Sequence, residues 1–204
     1  MYYYIDGTIA HKDANLAVID CGGVGYKLNI SYTTYTRLPE TGKKFKLFTH
    51  LVVKDDALDL LGFYDLAEKN AFVMLTSVSG IGAKSAMSVL STLTPERFAF
   101  AVASGDYKEI ALAHGVSTKT AQKIILELKD KINKESAALE KSGGAAYVAA
   151  SAPGDGSTRG DAIDALVVLG YSRIEANDAL KNVDLSKPLD EIIMLAIKKF
   201  DKIN

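Results

Sequence analysis

Apolar and polar positions alternate through the first third of the chain, in Tyr2–Ala10, Leu16–Asp20, Gly25–Ser31, Phe45–Val53 and Leu58–Phe63. A period of two, carried by β-branched and aromatic residues, predicts five half-buried strands. Turn formers separate them: Asp13-Ala14-Asn15, Gly22-Gly23, Pro39-Glu40-Thr41-Gly42 and Lys54-Asp55-Asp56. Five short strands within residues 1–64 suit a small Greek-key barrel of the OB type, with an SH3-like barrel as the alternative.

At Asp65 the period lengthens to that of a helix, with Leu66, Phe72 and Leu75, then Ala86, Val89 and Leu90, then Phe98, Ala101 and Val102, then Ile124, Ile125 and Leu128. At least four helices are predicted over residues 65–134. Thr94-Pro95-Glu96 reads as a helix start, because Thr94 can cap free N–H groups and Pro95 loses nothing at the first helical position. Residues 135–159 contain Ser142-Gly143-Gly144-Ala145-Ala146 and Ser151-Ala152-Pro153-Gly154-Asp155-Gly156-Ser157, too poor in apolar side chains to offset ordering, and read as a flexible linker. Residues 160–204 form a unit of three short helices, the first ended by Gly170, the second opened by the capping box Ser172-Arg173-Ile174-Glu175, the third beginning near Pro188. So small a unit has a thin core, and its apolar surface is expected to dock elsewhere. The fold class is thus multidomain α+β.

Composition removes several functions from consideration. No apolar run approaches the roughly 18 residues of a membrane helix, and the start lacks a basic then apolar leader, so a cytoplasmic location is expected. One cysteine, Cys21, has no partner for a disulfide and is expected to be a buried small hydrophobe; His11, His50 and His114 lack zinc-ligand spacing, and His50 is expected to be structural. No serine or cysteine has a recognisable base partner and no carboxylate set suits a nuclease metal, so neither catalysis, cofactor nor metal is expected. Net charge is −1, but residues 65–134 carry nine basic against seven acidic groups and residues 160–204 carry six against eight, which hints at different partners.

The chemistry lies in an internal repeat. Gly80-Ile81-Gly82-Ala83-Lys84-Ser85-Ala86 superposes on Gly115-Val116-Ser117-Thr118-Lys119-Thr120-Ala121, 35 residues later, and the match extends to Val89-Leu90 on Ile124-Ile125. Each copy is an apolar helix end, a glycine turn and a new helix with lysine on its first turn. Backbone N–H groups at a helix start lack internal partners and gather partial positive charge; glycine lets an anion approach, and lysine adds a mobile cation. Two such notches can grip two phosphates of one backbone. A nucleotide P-loop is excluded, because it needs four residues between its glycines and a contiguous Gly-Lys-Ser/Thr. Gly80, Gly82, Lys84, Gly115, Lys119 and Lys123 are the expected phosphate contacts. Ser117 stands where a second glycine would complete the repeat, so its contact is expected to be weakened.

These paired turns look like helix-hairpin-helix motifs, which hold nucleic-acid backbone through main-chain amides without reading bases. Together with Gly22-Gly23-Val24-Gly25-Tyr26, Leu38-Pro39-Glu40-Thr41-Gly42, the stretch from Thr49-His50 to Asp56-Ala57, Leu61-Gly62-Phe63 and Ala165-Leu166-Val167-Val168-Leu169-Gly170-Tyr171, the chain resembles the RuvA family of Holliday junction branch migration subunits. The resemblance implies an OB-fold, a double helix-hairpin-helix domain, a mobile linker and a UBA-like C-terminal domain that docks on the RuvB motor ATPase. It implies a homotetramer around a four-way junction held open and planar, association with a RuvC-type resolvase, and work in recombination, repair and the SOS response to DNA damage. It also makes Asp55 and Asp56 an acidic pin that repels phosphates at the junction centre. Two alternatives remain: a DNA-binding subunit of a structure-specific nuclease or repair complex, and a general protein adaptor.

Overall fold

The computed structural model describes residues 2–53, 57–141 and 157–200, with the backbone alone for residues 132–141. Strands β1 (Tyr4–Asp13), β2 (Leu16–Asp20), β3 (Gly25–Ile30), β4 (Lys44–Val53) and β5 (Leu58–Phe63) close a barrel in the order β1-β2-β3-β5-β4. Neighbours run antiparallel except β3 and β5, whose short parallel pairing of Asn29 with Leu61 and Ile30 with Gly62 completes closure. Ile5, Ile9, Ala17, Ile19, Leu28, Ile30 and Leu47 point inward and fill the barrel, leaving it no room for a pore. This is the OB-type barrel expected from the alternation.

Helix α1 (Tyr32–Arg37) bridges β3 and β4. Its Tyr-Thr-Thr-Tyr-Thr run has weak helix propensity, so the periodicity gave no sign of it. Interactions with its neighbours hold it, among them Ser31 accepting the Thr34 N–H at 2.9 Å and the Thr33 hydroxyl donating to the Leu90 carbonyl at 2.6 Å.

The second segment contains α2 (Leu66–Thr76), α3 (Ala83–Thr92), α4 (Pro95–Ser104), α5 (Tyr107–Ile110) and α6 (Thr118–Lys141). Asp65 caps α2 by accepting the Glu68 N–H at 2.9 Å, and Thr94 caps α4 with Pro95 at the first position. Glu68 does not complete a capping box. Its buried carboxylate turns toward the barrel, accepting the hydroxyls of Ser31 and Thr34 and the Tyr64 N–H at 2.9 Å. Beside it Arg37 pairs with Asp65 at 2.8 Å and lies over the Tyr64 ring. The barrel and the helical domain are therefore joined by a satisfied polar cluster rather than by a loose hinge.

Helix α6 extends through residue 141, into the range read as linker, and residues 142–156 lie outside the described residues. The C-terminal unit comprises α7 (Thr158–Val168), α8 (Arg173–Leu180) and α9 (Leu189–Phe200), with Gly170 left-handed after α7 and the Ser172–Glu175 capping box formed. Helices α7 and α9 pack on α4, and one hydrophobic core runs through both helical units. The thin core foreseen from length is supplemented by the neighbouring domain.

Candidate nucleic-acid interface

The two turns of the repeat have the same backbone. Ile81 N–H donates to the Val78 carbonyl at 3.0 Å, and Val116 N–H donates to the Ala113 carbonyl at 3.0 Å. Gly80 and Gly115, the third residue of each turn, have φ of +87° and +77°, a left-handed conformation that side chains disfavour. Val78, Ile81, Ala113 and Val116 are buried and anchor the turns, while Gly80, Gly82, Lys84, Gly115, Ser117, Lys119 and Lys123 all face solvent. Neither notch is sealed.

The helix starts differ. Gly82, the N-cap of α3, makes no side-chain cap; its φ of −90° would suit any residue, and a Cβ there would meet nothing within 4 Å. Nothing inside the fold requires glycine at this position, and the space before it is open. Ser117, the equivalent residue of the second copy, accepts the Thr120 N–H at 3.1 Å and lies 2.8 Å from the Thr120 hydroxyl. One of the amides that would face an anion at α6 is thereby taken.

Ser79, Gly80, Lys119, Thr120 and Lys123 line one groove, so the two hairpins are brought together. Gly82 lies in a second groove with Leu51, Val52 and Val53, which places the first helix start beside the end of β4. Lys84 turns to the other side of α3, where it shares a groove with Asn15, Asn29 and Asp59 of the barrel. The expected contacts thus spread along a path from hairpin to barrel.

Lys123 has an internal task as well. Its ammonium donates to the Ser79 carbonyl at 2.6 Å and lies 3.6 Å from Glu127, although it remains exposed. Glu127 in turn accepts the Ser79 N–H at 3.1 Å. Lys131, one turn further, donates to the Ser77 carbonyl at 3.1 Å, at the C-terminus of α2 where a cation is favoured. Sequence reasoning missed Ser77, Ser79, Glu127 and Lys131; their only signal was the i, i+4 charge ladder Lys123, Glu127, Lys131 on α6.

Residues 1–62 match the family model described as RuvA N terminal domain, residues 72–130 the SAM-like helix-hairpin-helix tandem, and residues 157–200 the RuvA C-terminal domain. The chain belongs to the RuvA family. Its relatives include the Holliday junction branch migration complex subunit RuvA of Acetivibrio thermocellus, 41% identical with 90% of each chain covered. The RuvA of Ruminiclostridium cellulolyticum is 36% identical over 97% of this chain and 99% of the relative, and that of Desulforamulus reducens is 40% identical over 98% of each. The tandem hairpin match encloses both turns of this RuvA-family chain.

Other expectations fall differently. Asp55 and Asp56 lie outside the described residues, though their neighbours Val53 and Leu58, at the ends of β4 and β5, are exposed. Cys21 follows β2 rather than sitting within it, is only half-buried, and donates its thiol to the Asp6 carbonyl at 3.2 Å; it was expected to be buried, but the strand ends one residue earlier. His50 packs against Phe72 with ring centroids 5.2 Å apart and the planes tilted by 58°, and burial, followed by the nearby Lys69, lowers its pKa. Among the described residues no cluster of His, Cys, Asp or Glu could hold a metal, and no helix is long and apolar enough to cross a membrane.

Proposed function

We propose that this chain binds four-way junction DNA as a homotetramer, holds it open and planar, and presents it to a RuvB-type motor whose ATPase it stimulates during branch migration. The observation that carries this reading is the pair of open glycine turns with matching backbones, the first of which shares a groove with the start of the helix that follows the second, in a chain of the RuvA family. Main-chain amides and lysines of this kind hold phosphates without reading sequence, as binding to a structure rather than a site requires. Gly80, Gly82, Lys84, Gly115, Lys119 and Lys123 make the contacts, with Ser117 contributing a weaker one.

The chain is a non-catalytic subunit, and hydrolysis belongs to its partner. Residues 1–64 and 65–134 act together on DNA, residues 135–159 connect, and residues 160–204 dock on the motor, with Ile174 and Met194 of that segment exposed. Asp55 and Asp56 repel the strands that cross the junction centre. A RuvC-type resolvase joins the complex, and the work takes place in the cytoplasm, in recombination and repair within the SOS response.

Competition gel shifts test this. A four-way junction should displace a labelled junction far better than a linear duplex of equal length does, and solution mass should rise to that of a tetramer. Equal competition by duplex would contradict the proposal. A nuclease or repair subunit would instead reveal a metal-dependent activity in its complex, and a general adaptor would keep its binding after Lys84→Ala with Lys119→Ala.

A further inference from the structure

The 35-residue repeat relates more than the turns. Ser88 on α3 and Lys123 on α6 occupy equivalent positions, as do Ser79 and His114 in the turns. The Ser88 hydroxyl donates to the His114 carbonyl at 2.7 Å, and the Lys123 ammonium donates to the Ser79 carbonyl at 2.6 Å. Each hairpin's outgoing helix therefore holds the other hairpin's turn by the same backbone atom. On one side the hold is doubled, because Glu127 accepts the N–H of the very residue whose carbonyl Lys123 engages.

The position of Glu127 is otherwise hard to reconcile with a phosphate grip. A carboxylate one turn from Lys123, beside the groove lined by Gly80 and Lys119, would repel the ligand that the groove is built for. Its two oxygens are instead committed, one toward Lys123 and one to the Ser79 amide. We infer that Glu127, with Lys123 and Ser88, is a positioning residue that locks the two hairpin turns into one rigid unit, so that both meet the same backbone at a fixed spacing. Glu127 itself touches no DNA; its role is to hold Ser79, and with it Gly80, against α6. This inference rests on the proposed grip of DNA by the two turns.

The sign of one substitution separates a lock from a repulsive charge. Removal of a merely repulsive carboxylate strengthens DNA binding whether alanine or glutamine replaces it. Removal of a lock weakens binding for Glu127→Ala, by about tenfold for one hydrogen bond to a charged group, while Glu127→Gln restores it because the amide oxygen still accepts the Ser79 N–H. The experiment measures affinity for a synthetic four-way junction over a salt series with the full-length chain, Glu127→Ala, Glu127→Gln and Ser88→Ala. Amide hydrogen exchange at Ser79 in the free proteins reports the lock without DNA, and thermal melts report the fold. Expected are weaker junction binding with a shallower salt slope for Glu127→Ala, faster Ser79 exchange, rescue by glutamine, and a smaller loss for Ser88→Ala. Unchanged or tighter binding by Glu127→Ala while the unaltered chain binds normally would overturn the inference alone, as would failure of glutamine to rescue. No junction binding by the unaltered chain would overturn the functional proposal and the inference together.

Discussion

Replacing Gly82 by alanine adds one methyl group where the protein itself leaves space and where the backbone is unstrained. Folding should be indifferent to it, with stability altered by less than about 0.5 kcal/mol, as for surface changes away from special features. The methyl would stand where a phosphate must approach the α3 amides, so junction affinity should fall several-fold. Thermal melts paired with gel shifts check both halves. Glu68 tests the seam between barrel and hairpins. Loss of solvent raises its pKa, helped by Asp65 and opposed by the Ser31 and Thr34 hydroxyls and the Tyr64 N–H. The folded state thus binds this proton more tightly than the unfolded chain. Its contribution to stability is greatest below the ordinary carboxylate value and declines as pH rises through the elevated folded value. The melting-point difference between the parent chain and Glu68→Gln, measured across that window, should shift against the parent as pH rises; a pH-independent difference would contradict this.

At the scale of elements, the two hairpins are alike in turn and unlike in cap. Ser117→Gly removes the hydroxyl that occupies the Thr120 amide and costs only a few tenths of a kcal/mol of stability, since glycine is itself a tolerated cap. It should tighten junction binding by freeing that amide, and isothermal titration would detect the gain. The repeat itself was readable because glycine, lysine and the apolar helix positions recur at fixed spacing, and local physics requires the left-handed glycines and the buried apolar residues there. The same holds for the five strands and for the caps at Thr94 and Ser172, whose signals are contained within a few residues. What escaped sequence reasoning depends on distant segments. Helix α1 has poor propensity and stands because α3 supplies a carbonyl for Thr33. Glu68, which drew no sequence reading, is held by hydroxyls 34 and 37 residues earlier. Glu127 was missed because nothing local reveals that it meets Ser79.

At the scale of the whole molecule, the C-terminal helices are packed on α4 and share its core, whereas the grooves around the hairpin turns lie among other residues. Deleting residues 158–204 should therefore lower the melting midpoint by roughly 5 °C or more, the shift expected when a few kcal/mol of burial are lost. Junction binding should survive the deletion, while stimulation of a RuvB-type ATPase should vanish. Asp55→Asn with Asp56→Asn should bind DNA more tightly and discriminate less between junction and duplex, because the repulsion at the centre is removed. Both expectations depend on the hairpin turns being the place where DNA is held. The most direct measurement is junction affinity against salt concentration for the unaltered chain and for Lys84→Ala with Lys119→Ala. Each lost phosphate contact should reduce the slope of log affinity against log salt by about one per site, so the double variant should bind more weakly with a distinctly shallower slope. An unchanged slope and affinity would mean that the twin turns do not hold the DNA.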